Sequence, residues 1–318
     1  MIARHSSLTV DALPPLPLAE WRPTKETLHR YAQVVGKVRL EHTPYQNHWW
    51  HAPLHVTPVG LRAPHMVGGD RSFEIALDLA AHEATVVAST GDRAAFALRD
   101  GLSVAEFYRS LLAALGDIGV PVELANPRPF DLGDDRPFAE DAEHAAYDAA
   151  AVGRYRRILV WVDHVFRAYG GRFSGKTSPV HLFWHGFDLA VTRFSGRAVP
   201  VPPEATLLNR EGYSHEVISF GFWPGDANVP DPAFYAYAAP APAGLDQQPL
   251  RPPAAAWQPG GMAVLMYEEV RTSPTPEETL LEFMESVYQA GAAAANWDAA
   301  ALRIEPARWR VAETGAAR

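Results

Sequence analysis

The sequence lacks several features that would point directly to a chemistry. None of its 318 residues is cysteine, which excludes disulfide bonds, thiolate metal ligands and a cysteine nucleophile. It has no run of about 18 apolar residues that could span a membrane. An apolar N-terminal segment typical of a secretory signal is also missing. We therefore expect a cytoplasmic protein without a membrane partner.

Sequence motifs for common nucleotide and hydrolase chemistries are missing as well. There is no Gly-x-Gly-x-x-Gly run, no Walker-type phosphate loop and no Gly-x-Ser-x-Gly elbow. The net charge is -9, and the densest basic cluster is Arg154, Arg156 and Arg157. Because nucleic-acid binding needs a clustered basic surface, the composition argues against a nucleic-acid partner.

Hydrophobic periodicity indicates a mixture of helices and strands around a large core. Apolar residues at helical spacing predict a helix from Thr24 to Gly36, with Lys37 and Arg39 just beyond it, and a helix near 276–294. Ser103 and Asp148 are predicted to cap two further helices. Alternating apolar residues predict an antiparallel meander over 49–98 and strands near 180–193, 215–223, 233–239 and 262–267.

Two similar segments, Asn47–His51 and His181–His185, suggest that the chain contains an internal duplication. Each follows a predicted helix and a Gly-Lys pair, and each runs into an apolar stretch ending in Val-Thr and a Gly. We predict an α+β fold of two similar halves, each an antiparallel sheet flanked by helices and related by a pseudo-twofold axis. The predicted divisions are a Pro-rich segment (1–22), a first half (23–125), a connector (126–146) and a second half (147–318).

The 13 histidines raise the question of a metal site, since imidazole is a common metal ligand. No single segment has chelating spacing, because His181 and His185 on one strand would lie about 13 Å apart. A divalent metal would have to be held across strands, by His181 and His215 if their strands are neighbours, together with His48. The alternative is that these histidines form hydrogen bonds in a core or a cleft.

Charged residues within apolar strands are the other candidates, because a buried charge must be paired or used. Glu216 shares a strand face with Ile218 and Phe220. It is either a proton-transfer group with a raised pKa or the partner of a cation, the candidates being Lys37, Arg39, Lys176 and Arg193. Asp188 also lies in an apolar strand and likewise needs a partner. Arg193 and Arg197 are candidates for holding an anionic group, with a surface ion-pair cluster as the alternative.

Together these observations give three sets of candidate site residues. The candidate catalytic residues are Glu216, His215, His181 and His51. The candidate substrate-binding residues are Lys37, Arg39, Asn47, Trp50, Trp184, Asp188, Arg193, Arg197 and Tyr235. The candidate metal ligands are His181, His215 and His48.

Long sequence runs across nearly the whole chain carry a family resemblance. They include Trp21-Arg22, Gly36–Leu40, Asn47–His51, Ser178–His181, Phe187–Arg197, Ser214–Val217, Gly221–Gly225 and Phe234–Tyr237. These runs resemble the bacterial family catalogued as domain of unknown function 5996, to which no activity is assigned. The resemblance favours a polar set for testing: Lys37, Asn47, His48, His51, His181, Asp188, Arg193, His215 and Glu216. Relatives that have Gly in place of His185 argue against that residue as a ligand or catalyst.

Our leading functional hypothesis is an enzyme with a cleft between the two sheets, lined by His, Glu and Arg, that handles a small polar or anionic molecule. Glu216 or a histidine would move protons, and Arg193 or Lys37 would anchor the substrate. One alternative is a His-ligated, metal-dependent hydrolase or oxidase. The other is a non-catalytic protein that binds a ligand or a partner.

Overall fold

A five-stranded antiparallel meander forms the first part of the fold in the computed structural model, which describes residues 13–200, 202–226 and 229–304. Each strand pairs with the next along the chain, in the order β1-β2-β3-β4-β5. The strands are β1 (His55–Thr57), β2 (Gly60–Gly68), β3 (Arg71–Asp78), β4 (Glu83–Ala88) and β5 (Arg93–Ala97). The predicted meander is confirmed.

A second antiparallel sheet follows, with six strands in the order β10-β11-β9-β8-β7-β6. The strands are β6 (His181–Phe183), β7 (Asp188–Ala198), β8 (His215–Trp223), β9 (Ala233–Ala239), β10 (Ala256–Gln258) and β11 (Met262–Met266). Leu54, just before β1, and Leu182 in β6 exchange two backbone hydrogen bonds of 2.9 and 2.8 Å. The two sheets therefore meet edge to edge.

Helices pack against both sheets and bury the main core. They are α1 (Leu18–His42), α2 (Val104–Asp117), α3 (Ala149–Gly170), α4 (Leu207–Gly212), α5 (Tyr267–Arg271) and α6 (Pro276–Ala294). Helices α1 and α2 contact the first sheet, whereas α3 and α6 contact β7, β8 and β9 of the second. The α+β class, with two antiparallel sheets flanked by helices, is confirmed. Among the described helices, none combines the length and the apolar character needed to cross a membrane.

The two predicted helix caps are present. Each is formed by hydrogen bonds between residues that are close in sequence. The Ser103 hydroxyl accepts the Glu106 backbone N–H at 3.2 Å, and the Glu106 carboxylate accepts the Ser103 N–H at 3.0 Å. This reciprocal pair is a capping box. The Asp148 carboxylate accepts the N–H groups of Ala150 and Ala151 at the start of α3.

The predicted bounds of the first helix, Thr24 to Gly36, are wrong at both ends. Helix α1 begins at Leu18 and ends at His42, so Lys37 and Arg39 lie within it. Gly36 does not end the helix; a Cβ there would overlap the indole ring of Trp184, which packs on α1 at this point. A glycine that usually marks a helix end is used here for close packing.

Two features of the strands also differ from the prediction. Strand β2 lies within the predicted meander, but Pro64 and a register shift between Ala63 and Met66 interrupt its alternation. The strand predicted near 180–193 is divided into β6 and β7 by a turn in which the Phe187 N–H donates to the Phe183 carbonyl at 2.8 Å. His185 lies in that turn and not on a strand with His181.

The internal duplication is not confirmed by the positions of the two similar segments. Asn47–Trp49 forms a 3-10 turn, whereas His181–Phe183 forms strand β6. Val56 lies in the edge strand β1, while Val191, which the duplication would align with it, lies in the interior strand β7. The two similar sequence segments therefore occupy different structural positions. The division of the chain at the 126–146 connector stays a prediction.

Candidate functional site

The second sheet has one face packed on helices and one face that lines a cavity. Arg193 in β7 points to the helix face, where its guanidinium donates to the hydroxyl and carbonyl oxygens of Tyr169 in α3, at 2.9 and 2.8 Å. Because side chains alternate along a strand, Asp188, Ala190 and Thr192 point the other way. All three line the cavity.

The cavity has a volume of about 650 Å³ and is enclosed by parts of the chain that are far apart in sequence. Its floor is the open face of β7, β8 and β9, and its walls come from the second half of α1, the 3-10 turn, the turn after β6 and helix α4. We predicted a cleft between the two sheets. The pocket instead lies over one face of the second sheet.

Aromatic side chains form much of the wall of the pocket. Those that line it include Trp49, Trp50, Phe130, Phe183, Trp184 and Phe194. The Trp184 indole N–H donates to the Ala52 carbonyl at 3.0 Å, which fixes the ring against Gly36. Rings held in this way provide rigid apolar surface for a ligand.

Asp188 and Tyr235 form a buried acid–phenol pair on the floor. The Tyr235 hydroxyl donates a short hydrogen bond to the Asp188 carboxylate. Burial raises the pKa of Asp188, which the hydrogen bond from Tyr235 and the nearby His185 partly oppose. No Lys or Arg of the described residues forms an ion pair with this carboxylate, so its charge has no cationic partner.

A row of hydroxyl groups crosses the floor beside that pair. The Tyr213 and Tyr237 hydroxyls lie 2.9 Å apart, as do those of Thr192 and Ser219. The prediction from sequence missed Thr192 and Ser219 as candidates, although their alternation with buried residues places them on the Asp188 face. Gly221 permits this arrangement, because a Cβ there would overlap the Tyr235 ring.

Lys37 lines the pocket from α1 and is only 8% exposed. Its amine forms no hydrogen bond or ion pair with any residue in the described part of the chain. Burial lowers the pKa of Lys37, and the negative charge of Glu41 one helical turn later only partly offsets this effect. The pocket lining thus contains a lysine amine that forms no hydrogen bond or ion pair among the described residues and is offset only by the charge of Glu41.

His48 lies in the 3-10 turn at the pocket, where both of its ring nitrogens are already bound. Its Nε2 accepts from the Lys176 ammonium at 2.7 Å, and its Nδ1 donates to the carbonyls of Glu211 and Gly212 in α4 at 3.1 and 3.3 Å. Burial and the Lys176 charge lower the pKa of His48. This residue ties the 3-10 turn to α4.

The candidate metal ligands are not brought together. Strand β7 lies between β6 and β8, so His181 and His215 are not on neighbouring strands. His215 is near His48, with ring centroids 5.6 Å apart, but both nitrogens of His48 are occupied. Within residues 13–200, 202–226 and 229–304, no three His, Asp or Glu side chains form a group that could hold a metal ion.

Glu216 and Arg197 lie away from the pocket on the helix side of the sheet. Their side chains form an ion pair of 2.6 Å, and Arg197 also donates to the carbonyls of Ala295 and Asn296 just after α6. The cation beside Glu216 is therefore Arg197. It is none of the predicted candidates, which were Lys37, Arg39, Lys176 and Arg193. The sequence showed that Glu216 needed a partner but not which strand would supply it.

Four further candidates occupy structural positions outside the pocket lining. The Arg39 guanidinium donates to the Pro64 carbonyl, and the His51 Nδ1 accepts the Gln46 N–H at 3.2 Å. His181 is almost fully buried, with its ring near His55. Asn47 begins the 3-10 turn and is exposed. The candidates that do line the pocket are Lys37, His48, Trp50, Trp184, Asp188 and Tyr235.

Comparison with protein families gives a match that covers almost all of the described chain. A family model described as "Family of unknown function (DUF5996)" matches residues 13–304. No curated protein and no solved structure matches the chain.

Proposed function

Because the chain belongs to the DUF5996 family of unknown function, we propose a function from its pocket: it is an enzyme that binds a small, largely apolar molecule and transfers a proton through Asp188. The volume of about 650 Å³ lies within the usual range of small-molecule sites, roughly 300–1,000 Å³. The aromatic walls suit a flat or branched apolar body. The few polar groups, on the floor and at Lys37, would orient it.

The Asp188–Tyr235 pair is the observation that carries this proposal. A carboxyl whose pKa is raised by burial, with no Lys or Arg paired to it among the described residues, is suited to give and take a proton. The Tyr235 hydroxyl orients the carboxyl towards the floor of the pocket. The proton-transfer role expected of Glu216 from sequence therefore passes to Asp188, since Glu216 is held by Arg197 outside the pocket.

The second candidate function is ligand binding without catalysis. It is favoured by the extent of the aromatic wall and by the row of hydroxyl groups, which together could hold a ligand firmly without any chemical step. Both functions require the same pocket to be occupied. The enzyme requires proton transfer by Asp188, whereas a binding protein does not.

A thermal-shift screen of small aromatic alcohols, aldehydes and acids tests whether the pocket binds ligands. Ala190→Trp would fill the pocket from its floor, whereas Glu216→Gln lies outside it and serves as the control. We expect compounds that stabilise the wild type and Glu216→Gln but not Ala190→Trp. Equal stabilisation of all three proteins would contradict a ligand site in this pocket. Hits that are converted by the wild type but not by Asp188→Asn would identify the enzyme.

A further inference from the structure

We infer that Lys37 forms an imine with an aldehyde or ketone group of the molecule that occupies the pocket. The inference deepens the proposed function, on which it rests, by naming the substrate class as a carbonyl compound. Its basis is the position of Lys37, which is 8% exposed, lines the cavity and forms no hydrogen bond or ion pair among the described residues.

Two buried arginines near the core differ from Lys37 in having partners. Arg30 lies 3.4 Å from Asp141, and Arg193 donates to two oxygens of Tyr169. A permanently charged ammonium at position 37 would be partly desolvated, and only the charge of Glu41 would offset that cost. Because burial lowers the pKa of Lys37, the neutral amine is more accessible there than at an exposed lysine, and the neutral amine is the nucleophile.

The rarity of lysine in this chain supports a role that arginine cannot take. Of the 28 Lys and Arg residues, only Lys25, Lys37 and Lys176 are lysines. The chain uses arginine for most of its positive charge, including the buried positions 30, 39 and 193. An anion could be held by either residue, but only a primary amine forms a carbon–nitrogen double bond with a carbonyl group.

The chemistry balances without any further reactant. The lone pair of the Lys37 nitrogen forms a bond to the carbonyl carbon, and the carbonyl oxygen leaves as one water molecule together with both hydrogens of the neutral amine. The aromatic wall beside Lys37, where Trp184 packs on Gly36, provides apolar surface that limits water around the product. Cyanoborohydride, added as the reductant, would convert the imine into a stable secondary amine.

The test is reductive trapping of the full chain with 2-naphthaldehyde and sodium cyanoborohydride, read by peptide mass spectrometry. With three lysines and the terminal amine as competing sites, we expect Lys37 to be labelled at least tenfold faster than the others. Because burial also lowers the pKa of Lys25 and Lys176, a preference for Lys37 at pH 7 would reflect binding of the aldehyde beside Lys37 and not a lowered pKa alone. Labelling of Lys37 no faster than Lys25, Lys176 or the terminal amine would overturn the inference.

Two variants of Lys37 and one matched control make the test specific. Lys37→Arg keeps the charge and should lose the label, as should Lys37→Met, which removes the desolvated charge and should fold at least as stably as the wild type. Lys25→Arg, three helical turns earlier on α1 and outside the pocket lining, should keep the label at position 37. Retention of the pocket adduct in either Lys37 variant would contradict the assignment.

A parallel measurement with 2-naphthoate separates the failure of this inference from failure of the proposed function. Binding of the carboxylate, blocked by Ala190→Trp, combined with no aldehyde adduct, would overturn the imine and leave the pocket as a site for anions. If the wild type, like Ala190→Trp, bound neither probe, the result would count against both the imine and the proposed function.

Discussion

The two faces of the second sheet both carry charged side chains within apolar strands, yet they differ in how those charges are satisfied. On the helix face, Arg193 is bound to Tyr169 and Glu216 to Arg197. On the pocket face, Asp188 has a phenol but no cation, and Lys37 above it has no partner among the described residues. A buried charge that is hydrogen-bonded or ion-paired contributes to the fold, whereas one with fewer partners is a candidate for function.

Arg193→Ala should have the largest effect on stability and should leave the pocket face intact. Arg193 is 2% exposed, and its truncation removes a donor from each of the two Tyr169 oxygens and removes packing on the Tyr169 ring, whose centroid is 3.6 Å from the guanidinium carbon. We expect a loss of about 3 kcal/mol in the free energy of unfolding by urea denaturation. A loss below about 1 kcal/mol would show that the helix face does not depend on this group.

Gly221→Ala should have the next largest effect, and on the pocket face. The new Cβ would overlap the Tyr235 ring and displace it from Asp188, at a cost of about 2 kcal/mol typical of overpacking. In the double variant with Tyr235→Ala the overlap is gone. The loss of stability in the double variant should therefore be smaller than the sum of the losses in the two single variants. Strict additivity in urea denaturation would contradict the contact.

Asp188→Asn should change stability by about 1 kcal/mol or less, because the side chain keeps an acceptor for Tyr235 and loses a poorly solvated charge. The sign depends on pH. The folded-state pKa lies above the ordinary value of 3.8, so the favourable contribution of Asp188 is complete below pH 3.8 and is lost as the pH rises through the folded-state pKa. The wild type should therefore lose stability relative to Asp188→Asn as the pH rises. A difference that stays constant with pH would mean that burial does not shift this carboxyl.

Glu216→Gln should have the smallest effect of the series. Its side chain is 24% exposed and that of Arg197 is 47% exposed, so water screens the ion pair. We expect a loss of about 0.5 kcal/mol, no change in ligand binding and a weaker salt dependence of stability. Loss of ligand binding in this variant would break the distinction between the two faces.

The features that could be predicted from sequence are those fixed by near neighbours. The caps at Ser103 and Asp148 depend on residues three positions away or fewer, and the meander depends on alternation along consecutive strands. The role of Gly36 could not be predicted, since it is set by Trp184, which is distant in sequence. A local pattern contains no information about such a contact.

The same limit applies to the candidate site. Asp188 was identified because a charged group in an apolar strand needs an explanation, whereas Lys37 was a candidate cation and Tyr235 a candidate for binding the substrate. All three line the pocket. Glu216 and Arg193 gave the same signal but lie on the other face. Partners assigned by sequence differ from those in the fold because the strand order, which places β7 between β6 and β8, decides which side chains meet.

The most direct test of the functional difference between the two faces is an NMR titration that follows the indole N–H groups of the nine tryptophans with 2-naphthoate and 2-naphthaldehyde. Trp50 and Trp184 line the pocket, whereas Trp161 in α3 and Trp297 after α6 lie outside its lining. The account predicts that the signals of Trp50 and Trp184 shift on binding while those of Trp161 and Trp297 do not. Shifts confined to Trp161 and Trp297, or no shift at all, would contradict a ligand site on the Asp188 face.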